Sequence, residues 1–200
     1  MHGDQNRTMA PLSCEEIIER FKATGALLAG HFALSSGLHS PNYLQCALVL
    51  QHPAEVERLG RAIAEHFRDR AIELVASPAI GGIVIGYEVA RQLGARFIWT
   101  EREAGQMTLR RGFSVSPGEK TLVVEDVVTT GGSTLETVKA LQAAGANVIA
   151  AASIIDRSDG KAEVGVPRVA LVTMSAPSVD PSVCEQCKRG EAVTKPGSRK

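Results

Sequence analysis

The 200-residue chain has no surplus of charge of either sign: Lys and Arg together number 22, Asp and Glu together number 22, and the formal net charge at pH 7 is zero. A surface built to grip nucleic acid carries a basic excess, so no nucleic-acid partner is expected. Long apolar runs are missing too. None approaches the ~18–20 residues that a membrane-crossing helix needs, and the first twelve residues (MHGDQNRTMAPL) lack the apolar centre of a secretory signal. These absences predict a cytoplasmic protein with no membrane partner, and either Met1 or Met9 can serve as its start. Asn6-Arg7-Thr8 matches a glycosylation sequon, a match without meaning in that compartment. Cysteine is scarce: four in the chain, too few for a disulfide scaffold.

What is present is the composition of an ordinary globular protein, 44% hydrophobic and 22% charged, long enough to bury a sizeable core. Ser13-Cys14-Glu15-Glu16 is a capping box, followed by Ile17, Ile18 and Phe21 at helical spacing until Gly25. Residues 32–50 begin with turn residues and become strand-like, and Pro53 opens a helix with Val56, Leu59, Ile63 and Phe67 on one face. Beyond residue 73, short apolar runs at 74–76, 96–100, 122–124, 147–155 and 169–172 alternate with helical patterns at 83–93 and about 133–144. Near-continuous Val, Ile and Ala in those runs implies strands buried on both faces. The alternation predicts an α/β fold with a central, mostly parallel sheet flanked by helices. One compact domain is expected, divided into a small N-terminal hood at 1–50, an α/β core at 51–180 and a surface tail at 181–200. Residues 101–112 (EREAGQMTLRRG) stand apart as a charged stretch of little periodicity, the mark of a disordered or functional loop.

Residues 122–134 (LVVEDVVTTGGST) carry the chemistry. A buried strand delivers Glu125 and Asp126 at its C-terminal end, where ligands sit in open α/β sheets. Glycines allow the backbone to turn successive N–H groups inward, Thr and Ser add hydroxyl donors, and the next helix begins there with its positive dipole end. Such a loop suits a phosphate monoester, and adjacent carboxylates suit ribose hydroxyls, so the segment describes a ribose 5-phosphate site. An acidic turn with incidental glycines is the plainer alternative, and it leaves the common register of all these parts unexplained. The GxxxxGK[ST] of a P-loop is absent, and no GxGxxG follows a strand.

This segment resembles the 5-phosphoribosyl diphosphate signature of the type I phosphoribosyltransferases, whose fold the resemblance implies. Over most of the chain the similarity is to orotate phosphoribosyltransferases, through residues 32–43 (FALSSGLHSPNY), 77–82 (SPAIGG), 101–103 (ERE), 109–113 (LRRGF), 155–157 (IDR) and 195–199 (KPGSR). A shorter subgroup with a Cys-x-x-Cys tail looks closer still. The resemblance implies that Arg102, Glu125, Asp126, Val127, Val128, Thr129, Thr130, Gly131, Gly132 and Ser133 bind phosphoribosyl diphosphate. Among these Arg102, Glu125 and Asp126 would be catalytic. Thr129, Arg157, Tyr43 and Leu44 would contact orotate, whose carboxylate a planar guanidinium can grip bidentately. It further implies Mg²⁺ held mainly by substrate oxygens rather than by protein ligands, and a homodimer in which the 101–112 loop serves the neighbouring subunit. A purine-base phosphoribosyltransferase or a non-catalytic phosphoribosyl-diphosphate sensor would share the loop. The first should lack the SGxxSP segment and Arg157, and the second would carry an added DNA-binding domain.

The chain departs from the pattern at Ser35, Gly81, Glu103 and Gln106, where lysines are expected, leaving Arg110, Arg111 and His39 as substitute cations for pyrophosphate. Cys184-x-x-Cys187 is half of a zinc ligand set or a redox pair. With no second CxxC or HxxxH to complete it, a surface thiol pair is expected. Cys14 and Cys46 read as core, His31, His52 and His66 as solvated edge residues, and Trp99 as packing.

Overall fold

The computed structural model describes residues 12–34, 36–175 and 177–196; Ser35, the two candidate start methionines and residues 197–199 of the tail motif lie outside them. In chain order the elements are α1 (Cys14–Ala23), a hairpin of β1 (Leu27–Ala33) and β2 (His39–Leu44), the short α2 (Ala47–Leu50) and α3 (Pro53–Glu65). Then follow β3 (Leu74–Pro78), α4 (Gly82–Leu93), β4 (Arg96–Glu103), β5 (Gln106–Leu109), β6 (Lys120–Val128), α5 (Gly132–Ala143), β7 (Asn147–Asp156), β8 (Arg168–Thr173) and α6 (Glu185–Lys188). The Ser13 capping box forms as predicted, Ser13 Oγ accepting from Glu16 N and Glu16 returning to Ser13 N.

Strands β3 to β8 form one sheet in the order β5-β4-β3-β6-β7-β8, parallel throughout except for the antiparallel pair β4–β5. Successive residues of a strand face opposite sides, and the core divides accordingly. Val75, Leu122 and Val124 join Ile17, Phe21, Leu59, Ile63 and Val89 on one face, beneath α1, α3 and α4. Leu74, Ala76 and Val123 join Val138 and Leu141 of α5 on the other. Burial on both faces explains why those runs are continuously apolar. From β3 the chain moves outward to β4 and then returns to place β6 on the other side of β3. The C-terminal ends of β3 and β6 therefore flank a topological switch point, the crevice where open α/β sheets bind ligands.

Several elements differ from the sequence expectation. β6 runs from Lys120 to Val128, so the acidic pair lies within the strand, Glu125 opposite Ser153 and Val128 opposite Asp156 of β7. Two carboxylates do not read as strand, but the ladder to β7 holds the backbone extended. The polar stretch 101–112 is largely an ordered hairpin, not a structureless loop: Glu101 pairs with Thr108 and Glu103 with Gln106 around a two-residue turn. Ala104 (φ 47°) and Gly105 (φ 86°) both take the left-handed conformation that such a turn demands. Thr100 Oγ1 lies 2.8 Å from Thr137 Oγ1, joining this hairpin to α5 in a buried contact. Strand β1 itself was hidden in the sequence by its glycine and histidine.

The tail returns to the β1–β2 hairpin. His39 and Val179 exchange both backbone hydrogen bonds (2.8 and 2.9 Å), while Thr194 N donates to His31 O and Ala33 N to Thr194 O. Cys46 is buried as expected, but Cys14 is exposed, its thiol reaching Leu171 O at 3.4 Å. His31, expected at a solvated edge, is only 5% exposed. His52 and His66 are exposed, and Trp99 packs edge-on against Phe113.

Candidate active site

The crevice is bordered by three segments that leave the C-terminal ends of parallel strands. After β3 the chain turns through residues 79–81, with a cis peptide between Ala79 and Ile80, before α4 begins. After β6 come Thr129, Thr130 and Gly131, then the N-terminus of α5 at Gly132. Both threonines are exposed, and Gly131 takes φ 82°, a conformation that would strain any residue with a side chain. A β-carbon there would also approach Val164 and Ala162 within 3.2 Å. The loop thus presents hydroxyls and the free N–H groups of a helix start to the crevice.

After β7 comes Arg157. Because Val128 pairs with Asp156, Thr129 and Arg157 leave the sheet side by side, and Arg157 N donates to Val128 O at 2.8 Å. Asp156 is fully buried and anchors the turn that follows. Its Oδ1 accepts from Ser158 N and Oγ, and its Oδ2 accepts from Gly160 N and, at 2.7 Å, from Arg168 Nη1. These contacts hold the Asp156 carboxyl below its usual range against its burial. Arg157 is half-buried, and that burial lowers its basicity; Cys46 and Tyr43 lie nearby. Tyr43 and Leu44, at the end of β2, are partly buried, and Tyr43 packs against Phe32.

Glu125 and Asp126 are adjacent on a strand and serve opposite sides of it. Glu125 accepts a hydrogen bond from Thr134 Oγ1 on α5. Burial, with Asp126 as a smaller contributor, pushes Glu125 up to about 7 despite the Thr134 bond. Asp126 turns toward the residue 79–81 segment and the start of α2. Its Oδ1 accepts from Val127 N at 2.9 Å, and the Cys46 thiol beside the carboxylate favours its ionised form. Burial also raises Asp126, partly offset by those contacts, and burial beside Asp126 keeps Cys46 a neutral thiol. A β-carbon on Gly81 would fall 2.7 Å from Asp126 Oδ1. In this chain a lysine at position 81 therefore has no room without moving that carboxylate. Neither Cys46 nor Thr134 was singled out in the sequence. The first sits in a mostly apolar run (YLQCALVL) with no local motif around it, and the second lies one position beyond the residues assigned to the phosphoribosyl group.

The expected cations are occupied. Arg102 donates to Gly105 O and forms an ion pair with Glu136 of α5 at 2.8 Å. Arg111 grips Glu101 through two contacts of 2.7 and 3.2 Å, and Arg110 lies 3.5 Å from both Glu101 and Glu103. His39 is buried against His31 and Cys187, so it is removed from the set of substitutes for a diphosphate cation. Glu103 and Gln106 face each other at the tip of the hairpin.

The family described as the phosphoribosyl transferase domain matches residues 47–174. The orotate phosphoribosyltransferase of Desulforamulus reducens is 51% identical over 185 residues, covering 92% of this chain and 97% of its own. That of Pelotomaculum thermopropionicum is 52% identical over 186 residues, with 93% and 98% covered. Among solved structures, the orotate phosphoribosyltransferase of Aeropyrum pernix superposes with a TM-score of 0.64 at 24% identity, covering 79% of this chain and 93% of that one, a likeness of fold. With a crevice at the switch point, a hydroxyl- and glycine-lined helix start and these relatives, the chain belongs to the phosphoribosyltransferase family, among its orotate phosphoribosyltransferases.

Proposed function

We propose that the protein transfers the phosphoribosyl group of 5-phosphoribosyl 1-diphosphate to N1 of orotate, giving orotidine 5′-phosphate and pyrophosphate, a step of pyrimidine nucleotide synthesis. The observation that carries this reading is the β6–β7 register, which brings Arg157 beside Thr129 at the rim of the phosphate loop. In this reading a cation for the orotate carboxylate stands next to the site for the sugar phosphate.

In this reading the 5-phosphate sits on the backbone N–H groups and hydroxyls of Thr129, Thr130, Gly131, Gly132 and Ser133, at the positive end of α5. The bond between the anomeric carbon and the pyrophosphate oxygen breaks as the bond to N1 forms, and the electron pair leaves with pyrophosphate. The anomeric carbon becomes cationic, and the carboxylates of Glu125 and Asp126 beside the ribose hydroxyls stabilise that charge. Orotate lies between Arg157 and the wall formed by Tyr43 and Leu44, and its N1 proton passes to the departing pyrophosphate or to water as the new bond forms. Arg102 sits on the β4–β5 hairpin in an exposed ion pair worth at most ~1 kcal/mol, so it can exchange Glu136 for pyrophosphate at little cost. Closure over the substrate would exclude the water that otherwise hydrolyses the sugar.

The hard carboxylate oxygens of Glu125 and Asp126 would suit Mg²⁺, which would supply positive charge to neutralise the departing pyrophosphate. The reading also includes a homodimer. An apolar groove of about 370 Å³, lined by Leu50, Val56, Val84, Tyr87, Phe97 and Trp99, supports a partner on the α4 side. A cytoplasmic location accords with four free cysteines. No helix among the described residues is long and apolar enough to cross a membrane.

Arg157→Ala tests the acceptor assignment. Removing a charge-assisted bidentate contact should raise the KM for orotate roughly 10–100-fold while leaving the KM for phosphoribosyl diphosphate within about twofold. An unchanged orotate KM would remove Arg157 from the acceptor site.

A further inference from the structure

The Cys-x-x-Cys tail and two histidines of the β1–β2 hairpin converge on one point. Nε2 of His31, Nδ1 of His39 and the sulfurs of Cys184 and Cys187 all lie within 4.8 Å of one another. His31 Nε2 is 2.8 Å from His39 Nδ1, 3.4 Å from Cys184 Sγ and 3.7 Å from Cys187 Sγ, and Cys187 Sγ is 3.3 Å from His39 Nδ1. Around a tetrahedral zinc ion the same edges measure about 3.3–3.8 Å, given Zn–N bonds near 2.0–2.1 Å and Zn–S bonds near 2.3 Å. Three of the four measured edges fall at or within a few tenths of an ångström of that range. The short His–His edge is the one that would open on binding.

From these residues we infer a structural zinc site, a Cys₂His₂ set that fastens the C-terminal tail onto the N-terminal hairpin.

The groups around the ligands support it. His31 Nδ1 lies 3.0 Å from Glu191 O, a carbonyl that can only accept. The proton of neutral His31 therefore sits on Nδ1, and the Nε2 lone pair is aimed inward, the tautomer that a metal ligand requires. His39 is fixed by its paired backbone bonds to Val179, two residues before the turn that begins at Pro181 and leads to Cys184. His31, His39 and Cys184 are all less than a tenth exposed. Two thiolates and two neutral imidazoles around a divalent cation sum to no net charge, which is what a buried site tolerates. Soft sulfur with imidazole in a tetrahedron selects zinc over Mg²⁺, whose oxygen-rich octahedron this set cannot supply.

A disulfide between the cysteines would account for the tail alone, not for two imidazole nitrogens turned toward it. A hydrogen-bonded histidine pair would account for the imidazoles, not for both sulfurs lying against them. Zinc accounts for all four. His39 begins the strand that ends in Tyr43 and Leu44, so the site pins the far end of one wall of the crevice. The inference does not depend on which base the enzyme accepts.

The test is elemental analysis of the full chain, expressed with zinc in the medium and purified under reducing conditions without chelator. Roughly one zinc per chain is expected for a closed four-ligand site. Cobalt in its place should give the visible bands of tetrahedral Co²⁺ and a near-ultraviolet thiolate charge-transfer band. Cys184→Ser with Cys187→Ser should abolish both signals, whereas Cys14→Ser should keep them. Stripping zinc should lower Tm by roughly 5–10 °C. Should the double variant misfold, wild-type protein still decides through zinc released into a chromogenic chelator when a mercurial titrates the thiols. Reduced wild-type protein that holds no zinc and gives no cobalt spectrum overturns the site, as does zinc retained by the double variant.

Discussion

A β-carbon on Gly81 would stand 2.7 Å from Oδ1 of Asp126, so the backbone between β3 and α4 lies directly against the carboxylate at the mouth of β6. The bare glycine leaves the carboxylate its place. Gly81→Lys and Gly81→Ala should both displace Asp126, and a misplacement near 1 Å costs about 10²-fold in rate. Gly81 is exposed and has a φ open to any residue, so stability should change by less than ~1 kcal/mol. Steady-state kinetics beside a denaturation curve checks both halves, and full activity in Gly81→Lys would contradict the contact.

Glu125, raised to about 7 chiefly by burial, makes the protein pH-sensitive in a defined direction. Below about 4.5 the carboxyl is protonated both folded and unfolded, so it has no effect on the balance. Between there and about 7 the folded state keeps a proton that the unfolded chain has lost. Stability should therefore fall as pH rises through that window, by up to about 3 kcal/mol from this group, and level off above it. Glu125→Gln should flatten that part of the curve and be more stable than wild type at pH 8. Urea denaturation of both proteins at pH 5 and pH 8 measures it. In the free enzyme kcat/KM should rise with pH toward a plateau above about 7, as the carboxylate form appears.

Cys46 is 2% exposed and, through burial and its neighbour Asp126, remains a thiol. It should resist alkylation in the folded protein at neutral pH while exposed Cys14 reacts, which mass spectrometry of peptides will show. Cys46→Ala takes the polar thiol away from the buried Asp126 carboxylate and should cost about 1–2 kcal/mol; Cys46→Ser should recover most of that.

Much of the site was legible because several local patterns coincide in residues 122–134: a buried strand, two carboxylates, glycines and a helix start. Arg157 was reached through resemblance, and the pairing of Val128 with Asp156 supplies the physical reason it belongs there. The β4–β5 hairpin was not legible, because its turn is Ala104-Gly105 and lacks the Asn-Gly or Asp-Gly signal. The cysteine tail was read as incomplete because its partners lie 148–156 residues away, at a spacing no local motif describes. Cys46 beside Asp126 is a tertiary contact of the same kind.

Arg102 is held by Glu136 in a pair exposed by more than two-fifths on each side, so it contributes little to folding. Arg102→Ala should lower kcat by roughly 10²–10³-fold with stability unchanged within ~1 kcal/mol. Glu136→Gln releases the guanidinium and should leave kcat within about twofold of wild type while tightening the KM for phosphoribosyl diphosphate.

Tyr87 is 61% exposed beside the apolar groove of α4 and β4. If that groove is the subunit contact, Tyr87→Glu should shift light scattering from dimer toward monomer at micromolar concentration. An unaltered dimer would place the interface elsewhere.

The most direct test of the account is the loss of orotate absorbance on adding phosphoribosyl diphosphate and Mg²⁺, beside parallel reactions with adenine, hypoxanthine and uracil. The account predicts orotate consumption with stoichiometric pyrophosphate, little turnover of the other bases, and loss of the signal in Asp126→Asn with the fold retained. Folded protein that leaves orotate untouched while consuming a purine base would contradict it.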